Sequence, residues 1–429
     1  MANKNGYSKI LSGGLQLGPY PMEKLKRTDK PTVLVTDAVE RVVQRAAAIA
    51  PASPGGGSGP PGRARPRFRG SAPSVSTALM SSLGLIGGGQ RTPPVPLTAG
   101  APGTPPMGGE GRPPAPGMAE MPARMRQAAG LIPGEPAPEK ITLPDDPAVL
   151  SHHIKSMGYF VGADVVGICE LPRWAVYSQD TQGNPIECDH KYAICIVVDQ
   201  GREAMDASDG NDWISAAQSG RGYAMCGFIG NVVANYIRMM GYPARLNYLR
   251  DYQVAVPPLL MLSGIGEISR ANIVLNPFLG LRFKASVVTT DLPLEPDKPV
   301  DFGLQDFCDK CLKCAKECPS RSISTGKKVL KNGYENWEFD YETCRKYRFN
   351  NPKGVSCGRC IKVCPWNKAE GWTHNMVRWM VKNTPYMNDF LIKMDDVWGY
   401  GKPDLNKKWW FDPEHAEETA QPDGLVLPD

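Results

Sequence analysis

The chain has 429 residues, and 49 Lys and Arg against 44 Asp and Glu leave a net charge of only +5. That balance excludes a protein built mainly to grip a polyanion, while the length allows two or three domains. No apolar run approaches the ~18–20 residues of a membrane-spanning helix, and the 12 cysteines come with neither the short length nor the signal peptide of a secreted disulfide framework.

Residues 1–50 read as an N-terminal arm. From Pro51 to about Lys140 the sequence runs through "PASPGGGSGPPGRARPRFRG" and "GTPPMGGEGRPPAPG". Such a stretch buries too little apolar surface to offset its ordering entropy, so a disordered linker is expected over 51–140. Residues 1–150 hold an excess of about seven positive charges, and the remainder is close to neutral. The basic run from Arg63 to Arg69 is read as a solvated tail in preference to a nucleic-acid or acidic-partner site. No Arg-Arg pair occurs, hence no twin-arginine export signal. Together with free cysteines, this points to a cytoplasmic location.

Residues 141–300 read as one domain of the α/β (α+β) class. "PAVLSHHIKSMGYF" predicts a helix leading into an extended segment. "HKYAICIVVD" (190–199) is a continuous apolar run of strand length, expected where both faces are covered. Over 222–242, Phe228, Val232, Asn235, Tyr236 and Met239 recur at helical spacing, and Gly241 is placed to stop the helix. "ARLNYL" predicts a strand, and "VAVPPLLMLSGIGE" a helix opened by Pro257 and Pro258. "RANIVLNPFLGLRFKASVVTTDLPL" predicts an antiparallel pair around a turn at Asn276-Pro277.

Residues 301–370 hold eight of the cysteines. Cys308-x2-Cys311-x2-Cys314-x3-Cys318-Pro319 is followed by Cys344-x12-Cys357-x2-Cys360-x3-Cys364-Pro365. Three close thiolates wrap one corner of a cubane, and a fourth before a Pro reaches the neighbouring cluster. The implied pairing is crossed: Cys308, Cys311, Cys314 and Cys364 hold one 4Fe–4S cluster, and Cys318, Cys344, Cys357 and Cys360 the other. Structural zinc closes on two CxxC pairs and does not call for this pattern. The module therefore reads as a bacterial ferredoxin-like wire for single electrons. Cys169, Cys188, Cys195 and Cys226 read as buried reduced thiols. Residues 371–429 form a helical extension, with "WTHNMVRWMVKN" as its amphipathic helix.

Other chemistry is sparse. Five histidines, none in HExxH or paired spacing, speak against a zinc hydrolase. "SGRGYAMCG" lacks the GxGxxG pattern after a strand, and no Walker A sequence is present.

The chain resembles the corrinoid-dependent reductive dehalogenases (catalytic subunit) from about residue 150 onward and across residues 18–45. The residues that carry this are "DLPLEPDKPVDFGLQDFCDKCLKCAKECPSRSIS" (291–324), "CGRCIKVCPWNK" (357–368), "MDDVWGYG" (394–401) and "GPYPMEKLKRTDKPTVLVTDAVERV". The resemblance implies the reaction R–X + 2e⁻ + H⁺ → R–H + X⁻ on an organohalide. It also implies a cobalamin above the nearer cluster, held in a nitroreductase-like domain without the Asp-x-His-x-x-Gly signature, which is missing here too. The family's proton donor matches Tyr223, its nearby basic residue Arg282, and a substrate-side Asn is placed at Asn247. A phenol of pKa near 10 is protonated at neutral pH, and a close guanidinium favours the phenolate and makes Tyr223 a better acid. Read without the resemblance, Tyr223 is a core aromatic and Arg282 a surface charge. The electron donor implied is a separate ferredoxin, flavodoxin or reductase. The Pro/Gly-rich stretch departs from the family, as does the lack of an export signal and of a reductase module after residue 429.

Three rivals share features with this reading. An epoxyqueuosine reductase-like enzyme also pairs cobalamin with two clusters, but the near-neutral body does not suit a tRNA partner. A non-catalytic two-cluster electron-transfer protein needs no α/β domain. An inactive paralogue would account for the atypical N-terminal third.

Overall fold

Runs of buried aliphatic residues build the central sheet. The computed structural model describes residues 19–33 except 21, residues 134–404 except 181, 182, 209, 211–213, 250, 332, 333, 351–355 and 370, and residue 407. Most of the 51–140 stretch, the Arg63–Arg69 run and much of the 1–50 arm and of the segment after 404 lie outside the described residues.

Helix α1 (Pro147–Phe160) opens on an Asp146 cap, whose carboxylate accepts from Ala148 N at 2.9 Å, with Pro147 in the first turn. Strands β1 (Val165–Glu170) and β2 (Tyr192–Asp199) follow, then the short α2 (Arg202–Ala207) and the long α3 (Ile214–Met239). Next come β3 (Ala244–Asn247), α4 (Val256–Leu262), β4 (Glu267–Ile268), β5 (Val274–Leu275) and β6 (Phe283–Thr290). The main sheet has the order β1-β2-β6-β3, antiparallel throughout. Period-2 alternation splits it cleanly. Ile194, Ile196 and Val198 face Ile229, Val233 and Ile237 of α3, while Cys195 and Val197 face Leu259 and Met261 of α4. Coverage on both faces explains the unbroken apolar run in β2, a pattern more usual in parallel sheets.

Helix α3 starts eight residues before the expected 222. The "SGRGYAMCG" glycines, which weaken a free helix, are what let this one approach the sheet. A Cβ at Gly222 would meet Lys284 Cγ at 2.9 Å, and one at Gly227 would meet Tyr248 Cε2 at 2.8 Å. Tertiary packing overrides propensity here. Gly241 ends the helix as expected, at φ 84°. Residues 137–141 pack on that end, with Ala137 N donating to Arg238 O at 2.8 Å and Ile141 N to Met240 O at 3.2 Å. A Cβ at Gly241 would stand 2.5 Å from Glu139 O. Gly241→Ala is therefore expected to destabilise the fold by ~1–3 kcal/mol through left-handed strain and backbone overlap. An unchanged melting temperature would show that residues 137–141 do not dock there.

The predicted pair around Asn276-Pro277 does not form. Strand β5 pairs instead with β4, and β6 with β2 and β3. The turn itself is real, because Asn276 Oδ1 accepts from Phe278 N at 2.9 Å and Leu279 N at 3.1 Å. Only the Asn276–Gly280 bridge joins its arms. Strand β6 then leaves to fill the slot between β2 and β3, where six of its last six residues are buried.

The cysteine module holds α5 (Leu304–Cys311), α6 (Lys313–Lys316), the hairpin β7 (Ile323–Lys331) and β8 (Tyr334–Phe339), α7 (Tyr341–Asn350) and α8 (Arg359–Lys362). Helices α9 (Trp372–Asn383), which matches its predicted bounds, and α10 (Asn388–Val397) pack on α5. From the N-terminal side, Arg27 donates to Lys298 O at 2.8 Å and to Met22 O at 3.1 Å, seating residues 22–33 where the two regions join. Among the described residues no helix is long and apolar enough to cross a membrane.

Candidate active site and cluster sites

The eight motif cysteines separate into two groups. Cys308, Cys311, Cys314 and Cys364 line one pocket, walled also by Arg270 and Trp366. Burial pushes Cys308 up to about 12 and Cys311 to about 11. It raises Cys314 further still, with Cys308 and Cys364 adding to the effect. In the second group, burial lifts Cys360 to about 12 and Cys357 to about 11, and both also feel Cys344 and Cys318. Donors already point at these sulfurs: Ser322 N reaches Cys318 Sγ at 3.4 Å and Arg359 N reaches Cys357 Sγ at 3.4 Å. Buried thiols crowded like this ionise only against added positive charge, which iron supplies, so cluster insertion releases protons.

Among the described residues no three His, Cys, Asp or Glu side chains converge tightly enough for a single metal ion. Cys308, Cys311, Cys314 and Cys364 instead line a shared pocket, as the corners of a cubane require. The donor set fits iron–sulfur clusters.

The second group adjoins the tyrosine site. Gly210 and Ser208, just after α2, touch it: a Cβ at Gly210 would lie 3.4 Å from Cys357 Sγ, and Ser208 Oγ donates to Cys357 O at 3.4 Å. Tyr223 sits half-buried on α3, with Lys284 Nζ over its ring at 5.3 Å from the centroid. Lys284 stands on β6, on the face turned to α3, where the missing side chain of Gly222 makes room for it. Burial lowers the Lys284 ammonium to about 8, helped by Arg348, while Cys360 and Cys226 oppose the shift. That Lys284 feels Cys360 ties the tyrosine site to the second cysteine group. Burial raises Tyr223 above its ordinary value and Cys226 adds to this, whereas Arg348 and a hydrogen bond with Tyr252 pull it down. Tyr223 thus stays protonated throughout the neutral range. The sequence-based expectation of a guanidinium-lowered phenol is not met, because desolvation outweighs the cations.

Arg282 bonds other groups than Tyr223. Its Nε donates to Asp199 Oδ1 at 3.1 Å and its Nη1 to Asn367 Oδ1 at 2.9 Å, and the side chain is buried. It ties the end of β2 to the segment after Cys364. Lys284, two residues on and of the same strand parity, takes the place next to Tyr223. Asn247 is wholly buried in a structural role: its Oδ1 accepts from Gln253 N at 2.9 Å and Arg245 Nη1 at 2.8 Å. It holds the 248–253 loop that carries Tyr248 and Tyr252 towards α3.

Lys284 and Arg348 are the neighbours of Tyr223 that motif reading missed. Spacing offered no signal for Arg348, which reaches the site from the exposed helix α7. In "LRFK", Lys284 shares strand parity with Arg282, and that was the available clue. None of the described histidines stands here: His152, His153 and His190 bond Ala148 O, Tyr236 and Thr289 respectively, and His374 rests on Tyr400. The phenol, ammonium and guanidinium beside an iron–sulfur group suit a corrin cofactor.

Comparison with known proteins agrees with this geometry. Residues 307–368 match the 4Fe–4S dicluster domain family. The tetrachloroethene reductive dehalogenase of Sulfurospirillum multivorans is 30% identical over 325 residues, 64% of this chain and 63% of that protein. A solved reductive dehalogenase, reported as suggesting a mechanism for B12-dependent dehalogenation, aligns at 36% identity with a TM-score of 0.72, over 95% of this chain and 54% of that one. The catabolic reductive dehalogenase NpRdhA in complex with 3-bromo-4-hydroxybenzoic acid aligns at 34% identity and a TM-score of 0.72, with the same coverage. The chain spans under two thirds of the curated relative and about half of the solved chains. On sequence and fold together, the chain is similar to the reductive dehalogenases over the part of their length that it spans.

Proposed function

We propose that the chain reductively removes halogen from an organohalide, R–X + 2e⁻ + H⁺ → R–H + X⁻. The observation that carries this reading is the meeting of Tyr223 and Lys284 with the Cys318, Cys344, Cys357 and Cys360 group. A proton donor there faces the outlet of a two-cluster wire.

The crossed pairing assigns Cys308, Cys311, Cys314 and Cys364 to the outer cluster and the second group to the inner one. When bound, the corrinoid supplies the cobalt centre at which the carbon–halogen bond is reduced. The domain that holds it, residues 141–300, is read as nitroreductase-like. Tyr223 Oη gives its proton to the carbon that loses halide. Lys284 and Arg348 stabilise the phenolate left behind, and Tyr252 holds the Tyr223 hydroxyl in place. Arg282 and Asn247 act one step back, by fixing the second cysteine motif and the Tyr252 loop.

Tyr223 has the Lys284 ammonium over its ring and lies in the field of Arg348. That field favours a substrate carrying negative charge, such as a halogenated phenolate or benzoate, and NpRdhA was solved with such a molecule. A separate ferredoxin, flavodoxin or reductase delivers the electrons. A cytoplasmic location is part of this reading, supported by reduced cysteines and oxidisable clusters. The relatives favour this reading over the epoxyqueuosine reductase-like alternative.

Anaerobic reconstitution with iron, sulfide and corrinoid is expected to yield close to eight irons and one corrin per chain. Chemically reduced, that protein should release halide from a halophenol. Eight irons without bound corrin would leave the electron-carrier alternative standing in its place.

A further inference from the structure

Arg270 lies in the tip between β4 and β5, and only 2% of it is exposed. Its hydrogen bonds go to backbone carbonyls. Its Nε donates to Cys308 O at 2.9 Å, its Nη1 to Ser324 O and Gly326 O at 3.0 Å each, and its Nη2 to Asp309 O at 3.4 Å. The guanidinium also lies over the Trp337 ring at 4.9 Å.

These contacts solvate the cation without neutralising it. Its nearest carboxylate, Asp309 at 3.7 Å, is more than half exposed and so screened by water. Glu267, three residues earlier, is committed to Thr32, Phe302 N and Gln305. Lys313, the other buried cation beside the outer cysteines, is matched by Asp395 at 2.6 Å and Asp396 at 2.7 Å. A buried and unmatched charge is costly unless something nearby offsets it. Arg270 lines the same cavity as Cys308, Cys311, Cys314 and Cys364. A cubane with four thiolates is a dianion when oxidised and a trianion when reduced.

We propose that Arg270 is a positioning residue for electron transfer, whose buried guanidinium offsets the charge of the outer cluster and raises that cluster's reduction potential. The inference rests on the two-cluster reading above. Each reduction adds one electron from the donor protein, with no bond made or broken and no proton taken up. The added negative charge appears within the field of a cation that water barely screens. Reduced cluster is therefore stabilised more than oxidised cluster, and the outer site becomes the favoured point of electron entry. The same guanidinium also ties the base of the β7–β8 hairpin to a ligand's own carbonyl, so it shapes the site as well as charging it.

The test is an EPR-monitored redox titration, with iron analysis, of reconstituted wild type, Arg270→Lys and Arg270→Gln. Arg270→Gln should lower one midpoint by at least a tenfold change in equilibrium, about 59 mV for one electron, and leave the other in place. Arg270→Lys, which keeps the charge, should stay near wild type. Loss of one cluster's iron in Gln but not in Lys supports the proposal equally. Unchanged midpoints in Gln overturn it, as does a Lys variant that shifts or loses iron like Gln, since hydrogen bonding alone would then explain the residue. Wild type with fewer than eight irons would instead strike at the two-cluster reading itself.

Discussion

Tyr223→Phe is expected to keep both clusters and the wild-type melting temperature while dehalogenation slows by ~10²–10⁴-fold, the usual loss when a general acid is removed. The substitution deletes one oxygen from a half-buried ring whose packing against Lys284 and Gly222 is unchanged. It removes no strand pairing and no cluster ligand, so a loss of iron would not follow from it. Burial holds the phenol above its ordinary pKa, which keeps the donor loaded throughout the neutral range but makes the bare phenolate costly. Lys284 and Arg348 repay that cost only as the proton leaves, which is where transition-state stabilisation counts. A variant that turns over at the wild-type rate would remove Tyr223 from the mechanism and send the search to Tyr252, its hydrogen-bonded neighbour.

Lys284→Met should separate activity from stability. Met has nearly the length of the lysine stem and fits the space left by Gly222. It removes an ammonium that burial has already brought down to about 8. Desolvating that charge opposes folding and Arg348 adds to the cost, so the variant should melt at the same temperature or a few degrees higher. Turnover should fall by roughly 10²-fold, with a raised KM for halophenols that bind as anions. Arg at this position should recover part of the loss. A stabilised variant with full activity would make Lys284 a packing residue. Lower stability with lower activity would mean that the ammonium has a structural partner.

The contrast between Lys284 and Arg282 shows where sequence reading stops. Both stand in "LRFK", two positions apart, and therefore share strand parity as the chain enters β6. Spacing alone cannot rank them. The choice belongs to Asp199, which ends β2 eighty-three residues earlier and is brought opposite by the antiparallel register of β2 with β6. Asn247 is a similar case. Its side chain bonds Arg245, Gln253 six residues on, and Thr289 on β6, a set of hydrogen bonds that residue type does not reveal. Arg348 came into view only when α7 was placed beside α3.

The helix α3 start shows the opposite error. The expected helix begins only at Gly222, eight residues late, and isolated propensity counts its glycines as costly. In the fold they mark the closest approach of helix to sheet, and that approach admits Lys284 to the tyrosine.

Cysteine spacing by itself determined the two-cluster module, since a rigid CxxCxxCxxxCP run restricts which thiolates reach a common cubane. Apolar period and glycine placement likewise determined β2, the end of α3 and helix α9, because such patterns are local. Which cation serves Tyr223, which cysteine group adjoins it and which arginine remains unmatched beside the outer cluster were decided only by tertiary structure. Electrostatic partners are set by distance across strands and helices remote in sequence, and burial, which governs the strength of each charge, exists only once those elements have packed.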